Sequence, residues 1–199
     1  MKICLFGAAS ELIDERYMKR VEALGETLAK RGHTMIFGAG GTGLMGAAAR
    51  GIKRVGGKVI GVIPEFFREE AVEVIFDDCD EIIYTDSMHE RKRVMEDEAD
   101  AFIITPGGIG TFEEFFEVLT LKQLGRHKKP IAIYNLNGYF DGLFKLLEGA
   151  INGRFLNTEC RSLYTFSDNV EDIFDYIEQE EHFEYNILEL KKSFNKKKS

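Results

Sequence analysis

The sequence predicts an α/β fold, in which a single-domain, Rossmann-like, doubly wound parallel sheet has helices on both faces. Short apolar runs alternate with stretches of helical length along the chain, which is the order of a parallel sheet with crossover helices. Several runs are nearly continuous in Ile, Val and Phe, as in strands covered on both faces. Glycine clusters follow two of the runs and open directly into helices, at the sheet edge where such folds bind ligands.

Seven strands and six helices are expected in alternation. The strands are predicted at 3–7, 35–38, 59–63, 81–85, 101–105, 131–134 and 163–166. The helices are predicted at 14–31, 44–56, 87–98, 111–124, 139–152 and 168–180. A chain of 199 residues can form one domain with a full core. Residues 1–180 are therefore expected to form this domain, and the polar, Lys-rich segment 181–199 is expected to be a frayed helix and a disordered tail.

The charge, cysteine and histidine patterns argue against several classes of protein. The net charge of −8 disfavours a nucleic-acid-binding protein, because contact with the phosphate backbone needs a basic face. The three cysteines have no paired spacing and the four histidines no ligand spacing, so neither disulfides nor a metal site is expected. The apolar run at the N-terminus is too short for a signal peptide or a membrane span. A cytoplasmic protein with no membrane partner is therefore expected.

Two glycine-rich loops follow predicted strands, and they are Gly38-Ala39-Gly40-Gly41-Thr42-Gly43 and Pro106-Gly107-Gly108-Ile109-Gly110. A helix N-terminus offers unpaired backbone N–H groups and about half a positive charge, and a glycine loop lets a phosphate approach it closely. Neither loop has the Lys-Ser/Thr of a P-loop, and the first is not in frame for a dinucleotide fingerprint. The loops therefore predict a phosphate site at the carboxyl edge of the sheet. The alternative is that their glycines only make tight turns.

A carboxylate follows the second loop at a spacing that allows two interpretations. Thr111 and Glu114 have the spacing of a capping box, with Thr111 as the N-cap. In the second interpretation, Glu114 in the first helical turn lies over the glycine loop, where it could stabilise a cationic ribose transition state or orient a water molecule. The neighbouring apolar residues follow helical spacing and are expected in the core; they are Phe112, Phe115, Phe116 and Leu119.

A cationic stripe marks the predicted helix at 87–98. Met88, Arg91, Lys92 and Met95 fall at i, i+3, i+4 and i+7. Arg91 shares a face with two methionines, so it is expected to point inward, where a cation needs an anionic partner. One interpretation is an internal salt bridge with the acidic residues nearby. The other is a bidentate grip on a substrate phosphate or ribose.

These motifs resemble those of the LOG ("Lonely guy") family, which are cytokinin-activating phosphoribohydrolases often labelled lysine decarboxylases. Segment 106–114 resembles the family's PGGxGTxxE motif, and segment 88–92 resembles its MHxRK element. Segment 38–46 resembles the GGGxxGLMG loop. Further matches are Gly61-Val62-Ile63-Pro64, Gln123-Leu124-Gly125, Lys129-Pro130 and Asn137-Gly138-Tyr139. The similarity runs in order over roughly 180 residues.

The resemblance implies an enzyme that hydrolyses the N-glycosidic bond of an adenine-type nucleoside 5′-monophosphate. The substrate would be AMP or an N6-substituted cytokinin nucleotide, and the products a free base and ribose 5-phosphate. The resemblance implies Arg91 and Glu114 as the catalytic pair, no cofactor or metal, and a homodimer with the site near its interface. The substrate-binding residues that it implies are Gly40, Gly43, Met88, Lys92, Pro106, Gly107, Gly108, Gly110 and Thr111.

The sequence departs from the family pattern at a few positions. Gly7-Ala8-Ala9-Ser10 stands where Gly-Ser-Ser is common, which removes two hydroxyl contacts unless Ser10 substitutes. Ala39 and Gly41 replace a glycine and a serine, and Leu121 stands where Trp is common. These departures leave the preferred base open.

Two other functions remain as alternatives. A non-catalytic nucleotide or molybdenum-cofactor carrier would bind AMP without releasing base. A DNA-processing protein would carry a similar fold, but the acidic charge disfavours it. The presence of both Arg91 and Glu114 favours the enzyme, because a carboxylate repels the anionic ligand of a pure binder.

Overall fold

The computed structural model describes residues 1–70 and 74–182. Within them the seven strands are β1 (Lys2–Phe6), β2 (Thr34–Phe37), β3 (Lys58–Pro64), β4 (Glu81–Thr85), β5 (Ala101–Ile104), β6 (Ile131–Tyr134) and β7 (Thr165–Ser167). The seven α-helices are α1 (Glu15–Lys30), α2 (Gly43–Arg54), α3 (Glu65–Glu70), α4 (Met88–Glu98), α5 (Ile109–Gln123), α6 (Asp141–Asn152) and α7 (Val170–Ile177). Two short 3-10 helices span Leu136–Gly138 and Thr158–Leu163.

The strands form one parallel sheet in the order β4-β3-β2-β1-β5-β6-β7. β1 and β5 are neighbours in the middle of the sheet, where Leu5 pairs with Ile103. The chain proceeds from β1 to β4 in one direction and from β5 to β7 in the other, so the strand order reverses between β1 and β5. The predicted doubly wound sheet is confirmed, and its ligand crevice is expected at the carboxyl ends of β1 and β5.

The sheet separates two hydrophobic cores. Neighbouring side chains of β1 point to opposite faces, so Leu5 lies in the first core and Phe6 in the second. Helices α1, α2 and α7 cover the first core, and α4, α5 and α6 cover the second. Leu24 of α1 and Phe115 of α5 are fully buried in these cores. Burial of one such side chain stabilises the fold by about 1.5–3 kcal/mol, so helices are held on both faces, as predicted.

Several elements differ from the sequence prediction. Helix α3 was not predicted, because its six residues are too few for a helical period to be recognised. β7 begins at Thr165 instead of 163, since Leu163 ends the preceding 3-10 helix and fills the second core from there. Helix α7 ends at Ile177, and most of the predicted tail, 183–199, lies outside the described residues. The described part of the chain contains neither a helix long and apolar enough to cross a membrane nor a group of His, Cys, Asp and Glu side chains that could hold a metal ion.

Candidate active site

The second glycine loop lies where the strand order reverses. Pro106, Gly107 and Gly108 connect β5 to α5, and the N–H of Ala8 after β1 donates to the Pro106 carbonyl at 3.1 Å. Gly108 is the N-cap of α5, which begins at Ile109. A helix of 15 residues therefore has its positive end at the crevice between β1 and β5.

Backbone N–H groups at the start of α5 are unpaired in the described part of the chain. The N–H of Phe112 donates to the Gly108 carbonyl at 3.1 Å, but within residues 1–70 and 74–182 the N–H groups of Ile109, Gly110 and Thr111 have no hydrogen-bond acceptor. A Cβ at Gly108 or Gly110 would meet no atom within 4 Å, and neither glycine has a positive φ. Neither packing nor backbone conformation therefore requires glycine here. The open space is what a phosphate needs to reach the N–H groups.

The capping-box prediction for Thr111 and Glu114 is wrong. Because α5 starts at Ile109, Thr111 is its third residue, and it is buried. Thr111 packs on Gly107 so closely that a Cβ at Gly107 would lie 2.1 Å from its Oγ1. Gly108 occupies the cap position in an extended conformation without a side-chain hydrogen bond. Glu114 therefore lies in the second turn of α5 and not in the first, and it does not cap the helix.

Arg91 lies at the carboxyl ends of two neighbouring strands. Its Nη2 donates to the Gly38 carbonyl after β2 at 2.6 Å, and its Nε donates to the Val62 carbonyl of β3 at 3.1 Å. Its guanidinium lies 5.3 Å from the centre of the Phe67 ring, and its Nη1 contacts the Met88 sulfur at 3.6 Å. Arg91 is 5% exposed, which confirms the inward orientation predicted from the helical spacing. These contacts fix a positive charge at the carboxyl ends of β2 and β3.

Glu114 is a half-buried carboxyl on α5 near Arg91. Burial raises the pKa of Glu114 to about 7, and the positive charge of Arg91 acts in the opposite direction. Burial raises the pKa of the Cys4 thiol in β1, the charge of Glu114 raises it further, and the charge of Arg91 lowers it. A carboxyl with a pKa near 7 can accept or donate a proton at neutral pH. Helices α4 and α5 thus carry the two members of the predicted catalytic pair, and the charge of Arg91 acts on the Glu114 carboxyl.

The first glycine loop uses its helix donors within the protein. The N–H groups of Leu44 and Met45 at the start of α2 donate to the Ala8 carbonyl at 2.8 and 3.3 Å. Gly43 has a φ of 59°, and a Cβ there would lie 2.3 Å from the same carbonyl oxygen. Gly40 takes part in an isolated β-bridge. The geometry at Gly40 and Gly43 favours the tight-turn alternative, and their contact with substrate stays a prediction.

A crevice of about 320 Å³ opens beside the second glycine loop. Two tyrosines line it, Tyr17 on α1 and Tyr139 after β6. The Tyr139 hydroxyl donates to the Gly107 carbonyl at 2.6 Å. The turn before Tyr139 is fixed by Asn137, which has a positive φ of 54°. Tyr139 is expected from the sequence only as part of the Asn137-Gly138-Tyr139 match and at the start of a predicted helix. Tyr17 is not expected, because no local sequence pattern marks it as a site residue.

Lys92 is held between two carboxylates of α5. Its Nζ lies 2.5 Å from Glu113 Oε1 and 2.6 Å from Glu117 Oε2. The Lys92 side chain is 13% exposed. Burial lowers its pKa, but the hydrogen bond to Glu113 and the ion pair with Glu117 outweigh burial and raise the pKa above the usual value. Lys92 is therefore a charged link between α4 and α5.

Comparison with known sequences identifies relatives over most of the chain. A family model described as "Possible lysine decarboxylase" matches residues 45–177. The protein named cytokinin riboside 5′-monophosphate phosphoribohydrolase in Mycobacterium tuberculosis (strain ATCC 25618 / H37Rv) is 41% identical over 151 residues. This match covers 75% of the present chain and 79% of that protein.

Two solved structures share the fold at low sequence identity. The protein TM1055 superposes with a TM-score of 0.68 at 23% identity, over 89% of this chain and 98% of that chain. The molybdenum cofactor carrier protein from Chlamydomonas reinhardtii superposes with a TM-score of 0.62 at 21% identity, over 85% and 91% of the two chains. The structures agree with the doubly wound fold, and the sequence matches decide the family. The chain belongs to the family described as possible lysine decarboxylase, which is the LOG family that its motifs resemble.

Proposed function

We propose that the protein hydrolyses the N-glycosidic bond of an adenine-type nucleoside 5′-monophosphate, AMP or an N6-substituted cytokinin nucleotide. The observation that carries the proposal is the position of Glu114, about one helical turn beyond the unpaired N–H groups at Ile109, Gly110 and Thr111. One turn advances a helix by about 5.4 Å. A 5′-phosphate on those N–H groups therefore brings its ribose toward the Glu114 carboxyl. The name of the relative at 41% identity supports the same activity.

The reaction is a displacement at C1′ of the ribose by water. The C1′–N9 bond breaks, an oxygen–C1′ bond forms, and the leaving base takes up a proton, which gives free base and ribose 5-phosphate. Positive charge develops on the ribose in the transition state, and the ionised Glu114 stabilises it or takes the proton of the attacking water. Arg91 holds the phosphate or ribose hydroxyls in place. This chemistry needs no cofactor and no metal.

The remaining predicted contacts are assigned within this proposal. The phosphate binds the backbone of the 106–111 segment, through Pro106, Gly107, Gly108, Gly110 and Thr111. Met88 is 37% exposed beside Arg91, and it contributes to binding of the nucleoside. Contact of Gly40, Gly43 and Lys92 with the substrate stays a prediction, and it is tested below only for Lys92.

We also infer that a second copy of the chain covers the site. Ile109 is 88% exposed and Phe116, on the same side of α5, is 38% exposed. Exposed apolar side chains beside a ligand site are typical of an interaction surface, so a homodimer is proposed and no nucleic acid or membrane partner. A cytoplasmic location is proposed from the three cysteines, whose positions show no disulfide pattern. Light scattering that gives a monomer mass at micromolar concentration would contradict the dimer.

Two other activities are less well supported by the geometry. A decarboxylase that uses pyridoxal phosphate needs a lysine at the ligand edge. The buried Lys122 lies at the far end of α5, about 20 Å from the glycine loop at 1.5 Å per residue. A pure nucleotide or cofactor carrier has no use for the Glu114 carboxyl beside an anionic ligand. Its only support is a fold shared with the molybdenum cofactor carrier protein.

Base release measures the proposed function directly. The purified protein is incubated with AMP and with N6-isopentenyl AMP, and free base is quantified by chromatography. Turnover of either substrate is expected, and the ratio of the kcat/KM values identifies the preferred one. Glu114→Gln should remove turnover while keeping the shape of the side chain. The matched control is Glu159→Gln, which changes an exposed glutamate in the 3-10 helix Thr158–Leu163.

Three outcomes distinguish the alternatives. Similar kcat/KM for both nucleotides indicates a general AMP-cleaving enzyme, and a clear preference for the prenylated form indicates cytokinin activation. AMP binding without base release from either nucleotide would overturn the proposal in favour of a carrier. Turnover retained in Glu114→Gln would remove the catalytic assignment while leaving the activity.

A further inference from the structure

Lys92 connects the two helices that carry the predicted catalytic pair. It follows Arg91 on α4, and its partner Glu113 precedes Glu114 on α5. Glu113 and Glu117 lie more than twenty positions after Lys92 along the chain. Each of their carboxylates nevertheless lies within 2.6 Å of the Lys92 ammonium. If the distance between Lys92 and these carboxylates changes, the distance between Arg91 and Glu114 therefore changes as well.

The electrostatics of this cluster argue against a direct role for Lys92 in holding phosphate. Two carboxylates surround a single ammonium, so the cluster carries a net negative charge. An anion that approaches the Lys92 ammonium comes about as close to both carboxylates. Their repulsion of the anion cancels the attraction of the ammonium. The ammonium is also mostly covered, with 13% of the side chain exposed. Lys92 is better suited to fix a distance within the protein than to bind a free anion.

The rest of the site shows why such a link matters. Arg91 is anchored to β2 and β3 through the Gly38 and Val62 carbonyls. Glu114 is carried by α5, which packs on the second core through Phe115. The two groups are thus carried by different helices, and a misplacement of about 1 Å in a reacting group can cost a hundredfold in rate.

We propose that Lys92 is a positioning residue, which sets the separation of Arg91 and Glu114 through its ion pairs with Glu113 and Glu117. This inference rests on the proposed hydrolase activity. It differs from the expectation that Lys92 contributes to the phosphate site, which stays a prediction that the experiment below tests. Lys92 acts on the rate of the chemical step, while the affinity for phosphate resides in the start of α5.

Separate measurement of kcat and of ligand affinity tests the two roles of Lys92. Base release from AMP gives kcat and KM, and calorimetry gives the Kd of ribose 5-phosphate, which is bound but not cleaved. Lys92→Met is expected to lower kcat by about 10- to 100-fold and to leave the Kd of ribose 5-phosphate within about twofold. Lys19→Met is the control, because Lys19 forms an exposed pair with Glu15 within α1, and it should change neither quantity.

A charge-exchanged variant separates the link from a phosphate contact. In protein that also carries Glu117→Gln, which removes the second carboxylate from the cluster, Lys92→Glu combined with Glu113→Lys keeps the total charge and restores an opposite-charge pair between α4 and α5. If Lys92 is a positioning residue, this double variant recovers most of the kcat that Lys92→Glu alone loses. If Lys92 binds phosphate, a glutamate at position 92 cannot recover it, and the Kd of ribose 5-phosphate rises in every variant that lacks the lysine.

The results also separate this inference from the function on which it rests. Wild-type protein that releases no base removes the proposed function and the inference together. Wild-type turnover with an unchanged kcat in Lys92→Met overturns the inference alone. Failure of the double variant to recover kcat, with all variants folded by circular dichroism, has the same result.

Discussion

The carbonyl oxygen of Gly38 accepts a hydrogen bond of 2.6 Å from Nη2 of Arg91. A Cβ at position 38 would lie 1.8 Å from that nitrogen. Glycine at this position is therefore explained by the approach of a side chain from another helix. The contact joins the first glycine loop to the predicted catalytic pair, although the loop itself packs its helix donors against Ala8.

Gly38→Ala is expected to reduce turnover without unfolding the protein. The atom that the new methyl group meets is the end of a flexible side chain, so the fold can adapt while Arg91 moves. We expect a loss of about 10- to 100-fold in kcat/KM for AMP and a small change in melting temperature. Gly149→Ala in α6 is the control, because its Cβ would meet no atom within 4 Å and alanine favours a helix by about 0.5–1 kcal/mol. Full activity in Gly38→Ala would show that Arg91 does not need its present position.

The pH dependence of kcat/KM is expected to report the ionisation of Glu114. Its pKa is raised to about 7, and the ionised form is the active one in the proposed mechanism. Activity should therefore rise with pH through about 7, where Glu114 is half ionised, and level off roughly one pH unit higher. The charge of Arg91 lowers the pKa of Glu114. In Arg91→Met the pKa of Glu114 should therefore be higher, and the residual activity should rise at a higher pH than in the wild type. The phosphate of AMP titrates near pH 6, and the Kd profile of ribose 5-phosphate separates that effect. A flat profile between pH 6 and 8 would contradict the role of Glu114.

Lys122→Met is expected to stabilise the protein. Lys122 is 1% exposed, and its Nζ has no hydrogen-bond partner in the described part of the chain. Burial lowers its pKa to about 8, so the folded state holds this proton less tightly than the unfolded state does. Replacement by an apolar side chain of similar length should raise the free energy of unfolding at pH 7 by about 1–3 kcal/mol.

The pH dependence of stability gives a second measure of Lys122. Below pH 8 the lysine is protonated in both states, so its cost is constant. Between pH 8 and about 10.5 only the unfolded state stays protonated, and wild-type stability should rise through this range. Urea unfolding of Lys122→Met should lack this rise. Lys145→Met changes an exposed lysine of α6 and should stay within about 0.5 kcal/mol of wild type. No gain in stability for Lys122→Met would show that the lysine has a partner in solution.

Tyr139→Phe should weaken ligand binding more than it slows the chemical step. It removes only the hydroxyl that donates to the Gly107 carbonyl at 2.6 Å, and this bond orients the loop that precedes the unpaired N–H groups of α5. A loss of about 1 kcal/mol corresponds to about a fivefold increase in the Kd of ribose 5-phosphate, with kcat nearly unchanged. Tyr176→Phe, on α7 away from the site, should leave the Kd unchanged. An equal effect of both substitutions would remove the specific role of the Tyr139 hydroxyl.

Most of the fold could be predicted because its strands and helices have local patterns. Buried strands such as β5 are continuous apolar runs. The change from the spacing of apolar residues in a strand to their spacing in a helix can be recognised without information from distant residues. The second glycine loop was predictable for the same reason, since it directly joins a strand to a helix. Helix α3 and the limits of β7 could not be predicted. Their six and three residues are too few to show a helical or a strand spacing of apolar residues.

The site was less predictable wherever its contacts join distant parts of the chain. The pairing of Lys92 with Glu113 spans 21 positions, and no local pattern indicates it. The spacing of Thr111 and Glu114 fits a capping box, but the backbone at Gly108 decides where α5 starts. The hydrogen bond between Tyr139 and Gly107 joins residues 32 positions apart. It depends on the pairing of β5 with β6, which no local pattern specifies.

One rigid helix carries both Glu114 and the unpaired N–H groups that are proposed to bind phosphate, and in the proposed mechanism this arrangement limits the length of the substrate. The distance between anchor and carboxyl is set by the rise of α5 and cannot adapt to a longer ligand. A nucleoside without phosphate has no anchor, so its ribose is not held near Glu114. A nucleoside triphosphate that binds through its terminal phosphate places its ribose beyond the carboxyl. The protein would therefore spare both the free nucleosides and the triphosphates of the cell, and it would act on the monophosphate pool alone.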